Sequence, residues 1–406
     1  MPSAVGARDD TKLVHHRLLA GSGLHRAFAL TYAEDAMPLN GHATPAGTGR
    51  YRQRQVDLND QHFRTLQDGV VSSIGFGTYL GDPDDATDQR AAEALETALA
   101  LGCNFLDTAS NYRCQRSERV IGQTLTRLVA QGVIAREEAV VCTKGGYLPF
   151  DGEFPADPSR YLIETFLNPG IVRYDELVAG CHCIAPSYLA HQLNASLQNL
   201  RLETIDVYYL HNPEQQLDEM SRETFLTRME AAFGFLEAQV KEHRIRWFGA
   251  STWNGYRANP AEKNFLSLEE LAGIARRVGG EAHHFRVMQC PLNLAMPEAY
   301  GFKNQTVNGK LMSLLEAASA LGLSVVISAS LLQRRLTKLP AAMSQLIPGA
   351  QTDAQRALQF VRSVPGVTTA LVGMTQRVHV EENLALARIP PLAPEQLARL
   401  FTRTKS

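Results

Sequence analysis

From about residue 60 onward, short apolar runs alternate with longer stretches whose apolar residues recur every three to four positions. The first pattern predicts buried strands and the second amphipathic helices. HFRTL, QDG and VVSSIGFGT read in succession as a hairpin running into a buried strand. Further strands are expected at CNFLD (103–107), AVVCTK (139–144), IDVYYLH (205–211) and IRWFGAS (245–251), and again at FRVMQC (285–290), LSVVIS (323–328) and VTTALVG (367–373). Helices are expected between them, at about 86–101, at 117–132 with Ser117 as N-cap, and at 187–200, 225–242 and 265–279. KLMSLLEAASALG (310–322), DAQRALQFVRSV (353–364) and VHVEENLAL (378–386) complete the set, with a small tail helix near 394–402.

These strands lack the apolar–polar alternation of a half-exposed sheet, as parallel strands buried on both faces should. Alternating strand and helix predicts a parallel sheet. Eight such units within about 320 residues favour an α/β fold of the closed (β/α)8 TIM-barrel type over an open sheet. The open alternative also lacks its phosphate-binding fingerprint, because GFGT (75–78) is not GxGxxG. The leading hairpin is expected to plug the barrel floor. Residues 1–45 form an N-terminal arm without strong periodicity, suited to a surface or oligomer contact more than to a lid, and 46–406 form the barrel. Residues 148–186, after the third barrel strand, are too long for an ordinary connection and are expected to be a functional rim insertion.

Composition narrows the classes. The chain is 45% apolar and 20% charged, as a globular enzyme with a large core would be. A net charge of −2 with scattered basic residues gives no footprint for nucleic acid or an anionic membrane. No apolar run approaches the roughly 18 residues of a membrane span. Six cysteines in 406 residues make no disulfide framework. The start, MPSAVGARDD, has no apolar signal core. A cytoplasmic location is therefore expected. Cys181-His182-Cys183 has no partner pair at zinc-site spacing, so it reads as reduced thiols in a packed loop and no metal is expected.

Asp107, Tyr112, Lys144 and His211 lie at or just beyond the carboxyl ends of successive strands. In a barrel those ends open on one rim, where the loops carry the chemistry. Together the four form a set able to donate a proton near neutral pH.

The ordered motifs GFGT (75–78), DTASNY (107–112), RSERVIG (116–122), TKGG (143–146), LHNP (210–213), FGAST (248–252), MQCPLN (288–293) and VEEN (380–383) resemble those of the aldo-keto reductase superfamily over roughly residues 65–390. The resemblance implies an NADP(H)-dependent oxidoreductase that interconverts an aldehyde or ketone and an alcohol. Tyr112 would be the general acid. Lys144 would lower its pKa from the ordinary value of about 10. Asp107 would hold Lys144, and His211 would orient the carbonyl. Ser251 and Gln289 match the residues that hold the nicotinamide carboxamide, Thr252 stands where asparagine is common and can still hydrogen-bond, and Glu382 and Asn383 match adenine contacts. The resemblance implies that Gly77, Thr78, Ser328 and Gly373 would also contact the cofactor. Arg334, Arg335 and Arg377, with Lys338, are candidates for a 2′-phosphate. SASLLQRRL departs from the family: Ser328 stands where an aromatic usually stacks on nicotinamide, with Trp253 or Tyr79 as possible replacements. The small-molecule carbonyl or alcohol is the expected partner, and an oligomer is compatible with the sequence. Two other readings use the same residues: a reductase-like regulatory subunit that binds cofactor, and a lyase or isomerase using the Tyr–Lys pair.

Overall fold

The computed structural model describes residues 37–401. The N-terminal arm up to residue 36 lies outside the described residues, as does the last position of the tail helix. Residues 38–44 join the barrel unit: Leu39 bridges to Leu202, and the Ala43 N–H donates to Asp206 at 2.7 Å.

The expected hairpin is β1 (Phe63–Leu66) paired with β2 (Gly69–Ser72). The barrel strands follow as β3 (Ile74–Gly77), β4 (Phe105–Asp107), β5 (Val140–Gly145), β6 (Ile205–His211), β7 (Ile245–Ser251) and β8 (Phe285–Pro291). A second hairpin, β9 (Lys303–Val307) and β10 (Lys310–Ser313), interrupts the pattern. β11 (Ser324–Ser328) and β12 (Thr369–Gly373) then close the ring. The eight barrel strands run parallel, with β12 pairing back onto β3. The (β/α)8 expectation therefore holds. Leu66 and Val71 of the floor hairpin share one buried cluster with barrel residues Phe105, Val207, Val287 and Leu371. Each such buried side chain is worth roughly 1.5–3 kcal/mol relative to exposure.

Two local expectations are corrected. Residues 310–313 are a strand, and the helix begins only at Leu314, because Ser313 and Glu316 form a capping box that starts it there. Ser117 is not an N-cap either. Its hydroxyl donates to the Thr78 carbonyl at 2.9 Å, and Gln115, in the left-handed region, precedes the helix Arg116–Ala130. Gly122 on that helix touches the helix Pro186–Leu200 so closely that a Cβ would lie 2.4 Å from the Asn199 carbonyl oxygen. The two helices flanking β5 can therefore approach at this point only through a glycine.

The insertion at 148–186 contains a short helix, Pro158–Leu162, continuing into a π-turn at Ile163–Leu167. Leu148, Phe166, Val172, Cys183 and Tyr188 give it a small core of its own. It is sewn to the barrel where residues 181–183 run antiparallel to 146–148, through Leu148 N–H to the Cys181 carbonyl and Cys183 N–H to the Gly146 carbonyl, each 2.8 Å.

Candidate active site

Lys144 points into the barrel mouth and is fully buried. Its Nζ donates to Asp107 Oδ2 at 2.6 Å and to the Thr108 carbonyl at 2.7 Å. Asp107 Oδ1 accepts from Gln289 Nε2 at 2.8 Å, and Gln289 Oε1 accepts from the Ser251 hydroxyl at 2.9 Å. Both Asp107 oxygens are thus occupied as acceptors, as in a carboxylate. Burial pushes Asp107 up from its ordinary value, against the pull of Lys144. Burial draws Lys144 down, but the Asp107 carboxylate and Tyr112 together lift it above its ordinary value.

Tyr112 lies over this pair, with Lys144 Nζ 4.8 Å from its ring centroid. Tyr79 and His211 meet it edge-to-face, with centroids at 5.1 and 5.8 Å. The sequence led to the expectation of a lowered Tyr112 pKa. In the structure burial outweighs the ammonium, and the phenol stands above its ordinary value. Burial is the leading cause, and the Asp107 carboxylate offsets part of the Lys144 pull. His211 is held well below its ordinary value by burial and by the charge of Lys144, so its imidazole is neutral at pH 7.

The backbone after Tyr112 is strained. Arg113, Cys114 and Gln115 have φ of 50, 55 and 68°, a left-handed turn without glycine. Such residues cost roughly 1–2 kcal/mol each, and they persist only where neighbours over-determine them. Arg113 supplies that constraint by donating to the Asp82 carbonyl at 3.0 Å and by pairing with Asp88. A second left-handed turn, Leu332, Gln333 and Arg334 at 45, 50 and 73°, stands after β11.

Beside Tyr112 and this second turn opens a cleft of about 120 Å³. Gly77, Thr78, Tyr79, Asp107, Tyr112, Gln289, Ser328, Arg334 and Gly373 line it. The structure therefore brings together the four expected reacting residues, Asp107, Tyr112, Lys144 and His211, and one wall of the expected cofactor groove, with Ser251 joined through Gln289. Thr252 is buried beside Ser251 with its hydroxyl unpartnered, and the same holds for Ser330 Oγ and Asn383 Oδ1. Other expected contacts are engaged or remote. Glu382 accepts from the Thr352 hydroxyl at 2.5 Å, and its carbonyl accepts from Gln355. Arg377 pairs with Glu381 at 2.7 Å. Arg335 and Lys338 do not line the cleft, whereas exposed Arg334 does. Of the two aromatics offered as replacements, Tyr79 lines the cleft with Ser328 and Trp253 does not.

Sequence reasoning missed Glu214 and His182 around this centre, and singled out Tyr147 only as one of several aromatics near the start of the insertion. Glu214 Oε1 accepts the backbone N–H groups of Trp253, Asn254 and Gly255 at 2.8–3.2 Å and so ties the loop after β6 to the loop after β7. His182, read as part of a thiol pair, is fully buried beneath His211. Tyr147 packs edge-to-face on both His211 and His182, with centroids at 5.0 and 4.9 Å. Of the aromatics at the start of the insertion, only Tyr147 contacts the centre. Phe150, Phe154 and Tyr161 pack on one another, and Phe166 packs on Tyr188 and His191. The periodic pattern offered no signal for Glu214 or His182, because their partners are backbone groups far along the chain. Among the described residues no cluster of His, Cys, Asp or Glu is arranged to hold a metal, and no helix is long and apolar enough to cross a membrane.

Residues 73–267 match the model of the aldo/keto reductase family. Prostaglandin F synthase 1 from Bos taurus is 25% identical over 162 residues, 40% of this chain and 36% of that protein, so this match spans about a third of the relative's length. The uncharacterized oxidoreductase YqkF from Bacillus subtilis (strain 168) is 23% identical over 343 residues, 82% of this chain and 93% of that protein. Among solved structures, an aldo/keto reductase from Klebsiella pneumoniae in complex with NADP and acetate superposes with a TM-score of 0.56 at 22% identity, covering 84% of this chain and 94% of the other. The glycerol dehydrogenase AKR11B4 from Gluconobacter oxydans gives a TM-score of 0.59 at 18% identity, covering 84% and 95%. At these identities the structural likeness speaks for the barrel alone.

Proposed function

Because residues 73–267 belong to the aldo/keto reductase family, we propose that this chain is an NADP(H)-dependent oxidoreductase that interconverts an aldehyde or ketone and its alcohol. The observation that carries the reading is the buried Asp107–Lys144 pair at 2.6 Å beneath the Tyr112 ring, with a neutral His211 alongside. An ammonium with its own counterion and a phenol above it form a proton-handling unit that a binding surface has no need of. This favours an enzyme over a regulatory subunit.

The cleft fits a polar cofactor. Ser330, in its lining, has a buried Oγ that lacks a partner, and such an atom is costly unless something pairs with it; buried Thr252 Oγ1 and Asn383 Oδ1, outside the lining, lack partners as well. Ser251 and Gln289 would hold the carboxamide end, and Gly77, Thr78, Ser328 and Gly373 would border it. Thr252, with Glu382 and Asn383, would serve the remainder, and Arg334 and Arg335 the 2′-phosphate. Arg377 would first have to leave Glu381. When bound, the nicotinamide supplies or accepts the hydride. The Klebsiella pneumoniae aldo/keto reductase that shares this barrel is itself in complex with NADP.

The chain's own residues handle the proton. The substrate carbonyl oxygen sits between the Tyr112 hydroxyl and the His211 ring. His211, being neutral, donates one hydrogen bond to that oxygen and adds no charge. As the alkoxide develops, Tyr112 transfers its proton to it. The resulting phenolate is stabilised by Lys144, and Asp107 keeps Lys144 protonated and aimed. Aromatic rings of Tyr79, Tyr112 and Tyr147 surround the approach and keep water from competing for the proton.

The test is to mix the purified chain with NADPH, then NADH, and a panel of aliphatic, aromatic and sugar-derived carbonyls, following nicotinamide absorbance. The reading expects carbonyl-dependent NADPH oxidation. Tight NADPH binding without turnover of any carbonyl, or of any alcohol with NADP+, would instead assign the chain to a non-catalytic role.

A further inference from the structure

Besides Tyr147 at its start, the insertion reaches the reacting centre through His182. His182 is fully buried, and its ring lies in a directed chain of hydrogen bonds. Arg228 Nη1 donates to Gln216 Oε1 at 2.8 Å, so the Gln216 amide nitrogen must face the other way. It faces His182 Nδ1 at 2.8 Å and makes that nitrogen an acceptor. The ring proton is therefore on Nε2, which lies 2.7 Å from the His211 carbonyl oxygen and donates to it. The tautomer follows from the guanidinium at the start of the chain, since arginine only donates.

The His211 carbonyl is a sensitive point. β6 ends there, and Asn212 turns abruptly into the left-handed region with φ of 46°. A peptide plane at such a reversal is free to rotate unless both its groups are held. The Asn212 N–H donates to the Ser251 carbonyl at 2.6 Å, and His182 holds the opposite side. Space is closed as well: a Cβ on Gly146 would lie 2.8 Å from His182 Nε2 and 3.0 Å from the His211 oxygen. Tyr147 then packs against both histidine rings.

We propose that His182 is a positioning residue for the proposed carbonyl chemistry: through its hydrogen bond to the His211 carbonyl it sets the orientation of the His211 imidazole over the substrate oxygen. The inference rests on the role proposed above for His211. It gives the insertion a task, which is to reach under the rim and clamp the strand end that carries a reacting group. Gln216 and Arg228, from the segment after β6 and the helix Arg222–Lys241, extend the clamp outward. Arg228 also donates to the insertion's Asp175 and Glu176 carbonyls, so the same side chain registers the insertion against it.

The test uses the full chain and two substitutions. His182→Phe keeps the ring volume and removes both nitrogens. His182→Gln restores a donor toward the His211 carbonyl. The first readout is the His211 imidazole signal in the ¹⁵N-labelled protein, assigned by its loss in His211→Asn, which needs no turnover. The second is kcat, KM and NADPH affinity, measured well below Tm. The expected result is a displaced His211 signal in His182→Phe, a fall in kcat on the order of 10–100-fold, unchanged NADPH affinity, and recovery of most of both effects in His182→Gln. A His211 signal that stays in place in His182→Phe would overturn the proposal. So would a loss of kcat that follows Tm and is not recovered by Gln. If His182→Phe does not fold, Arg228→Met releases Gln216 from outside, and an unmoved His211 signal there overturns it equally. Absence of carbonyl turnover in the unmodified chain would refute the proposed function, while the spectroscopic readout would still decide the clamp.

Discussion

The two most deeply buried cations among the described residues lie at opposite ends of the barrel and are satisfied in opposite ways. Lys144, at the mouth, meets a carboxylate at 2.6 Å. Arg362, at the floor, meets only neutral groups: the Leu386 and Ile389 carbonyls at 2.7 and 3.2 Å, the Gln359 amide oxygen at 2.9 Å and Ser73 Oγ at 3.2 Å, with Nη2 unpartnered. Burial and the nearby Arg64 bring Arg362 down to about 9, whereas Lys144 is lifted. A cation paired with an anion keeps its proton and leaves a modest field for a neighbour such as Tyr112. A cation held by carbonyls staples segments together, here the ends of the chain's last helices to the floor hairpin. The mouth is arranged for proton transfer and the floor for cohesion.

The largest expected effect separates the two at once. Tyr112→Phe removes the proton donor and almost no volume, so turnover should fall by about 10²–10⁴-fold with Tm and NADPH affinity retained. Near-normal turnover would mean that the mouth does not work as described. Next comes Lys144→Met, which leaves Asp107 buried without its cation. Stability should drop by about 3–5 kcal/mol, measured by urea unfolding, and turnover should collapse with it.

Acid tests both ends through their buried histidines. His182 stands at about 4 at the mouth, and His62 at about 3 at the floor, each lowered chiefly by burial. The unfolded chain takes up these protons near pH 6.5 while the folded chain refuses them. Stability is therefore fully present above pH 6.5 and falls as the pH drops toward 4, with the His62 contribution still declining toward 3. His182 alone accounts for roughly 3 kcal/mol of this loss. His182→Gln should flatten the upper part of the curve. An unchanged slope between pH 6.5 and 4 in that variant would show that His182 is not held neutral.

Arg362→Met is expected to do less than Lys144→Met, about 1–3 kcal/mol, because no opposite charge is left stranded. Turnover per folded molecule should be unaltered. A stability loss equal to that of Lys144→Met, or a change in kcat, would erase the contrast between the ends. The smallest effect belongs to the exposed edge of the cleft. Arg334→Ala should weaken NADPH binding by about fivefold, a screened surface pairing of about 1 kcal/mol, and leave NADH binding untouched. Equal losses for both cofactors would remove Arg334 from the 2′-phosphate.

Much of this was legible beforehand. The eight apolar runs could be read because parallel strands buried on both faces carry their environment in their composition. Asp107, Lys144 and His211 could be read because a polar residue ending such a run has one place to go, the rim. Where the reading slipped, competing local interactions decided. KLMS has helical periodicity, yet it pairs with β9, because the capping box at Ser313 and Glu316 starts the helix only afterward. Ser117 looked like a cap until the left-handed turn at 113–115 moved the helix start and sent its hydroxyl to Thr78.

The sequence by itself determined the barrel, the order of its strands and the identity of the residues gathered at its mouth, since periodicity and strand-end position are properties of a few neighbouring residues. Only the tertiary structure decided the direction of the Tyr112 shift, the neutrality of His211 and the place of His182 beneath it. Those depend on burial and on partners as distant along the chain as Asp107 and Gln289, or His182 and His211. Desolvation and hydrogen-bond direction are set by what surrounds a group in space, and a one-dimensional pattern carries no measure of that.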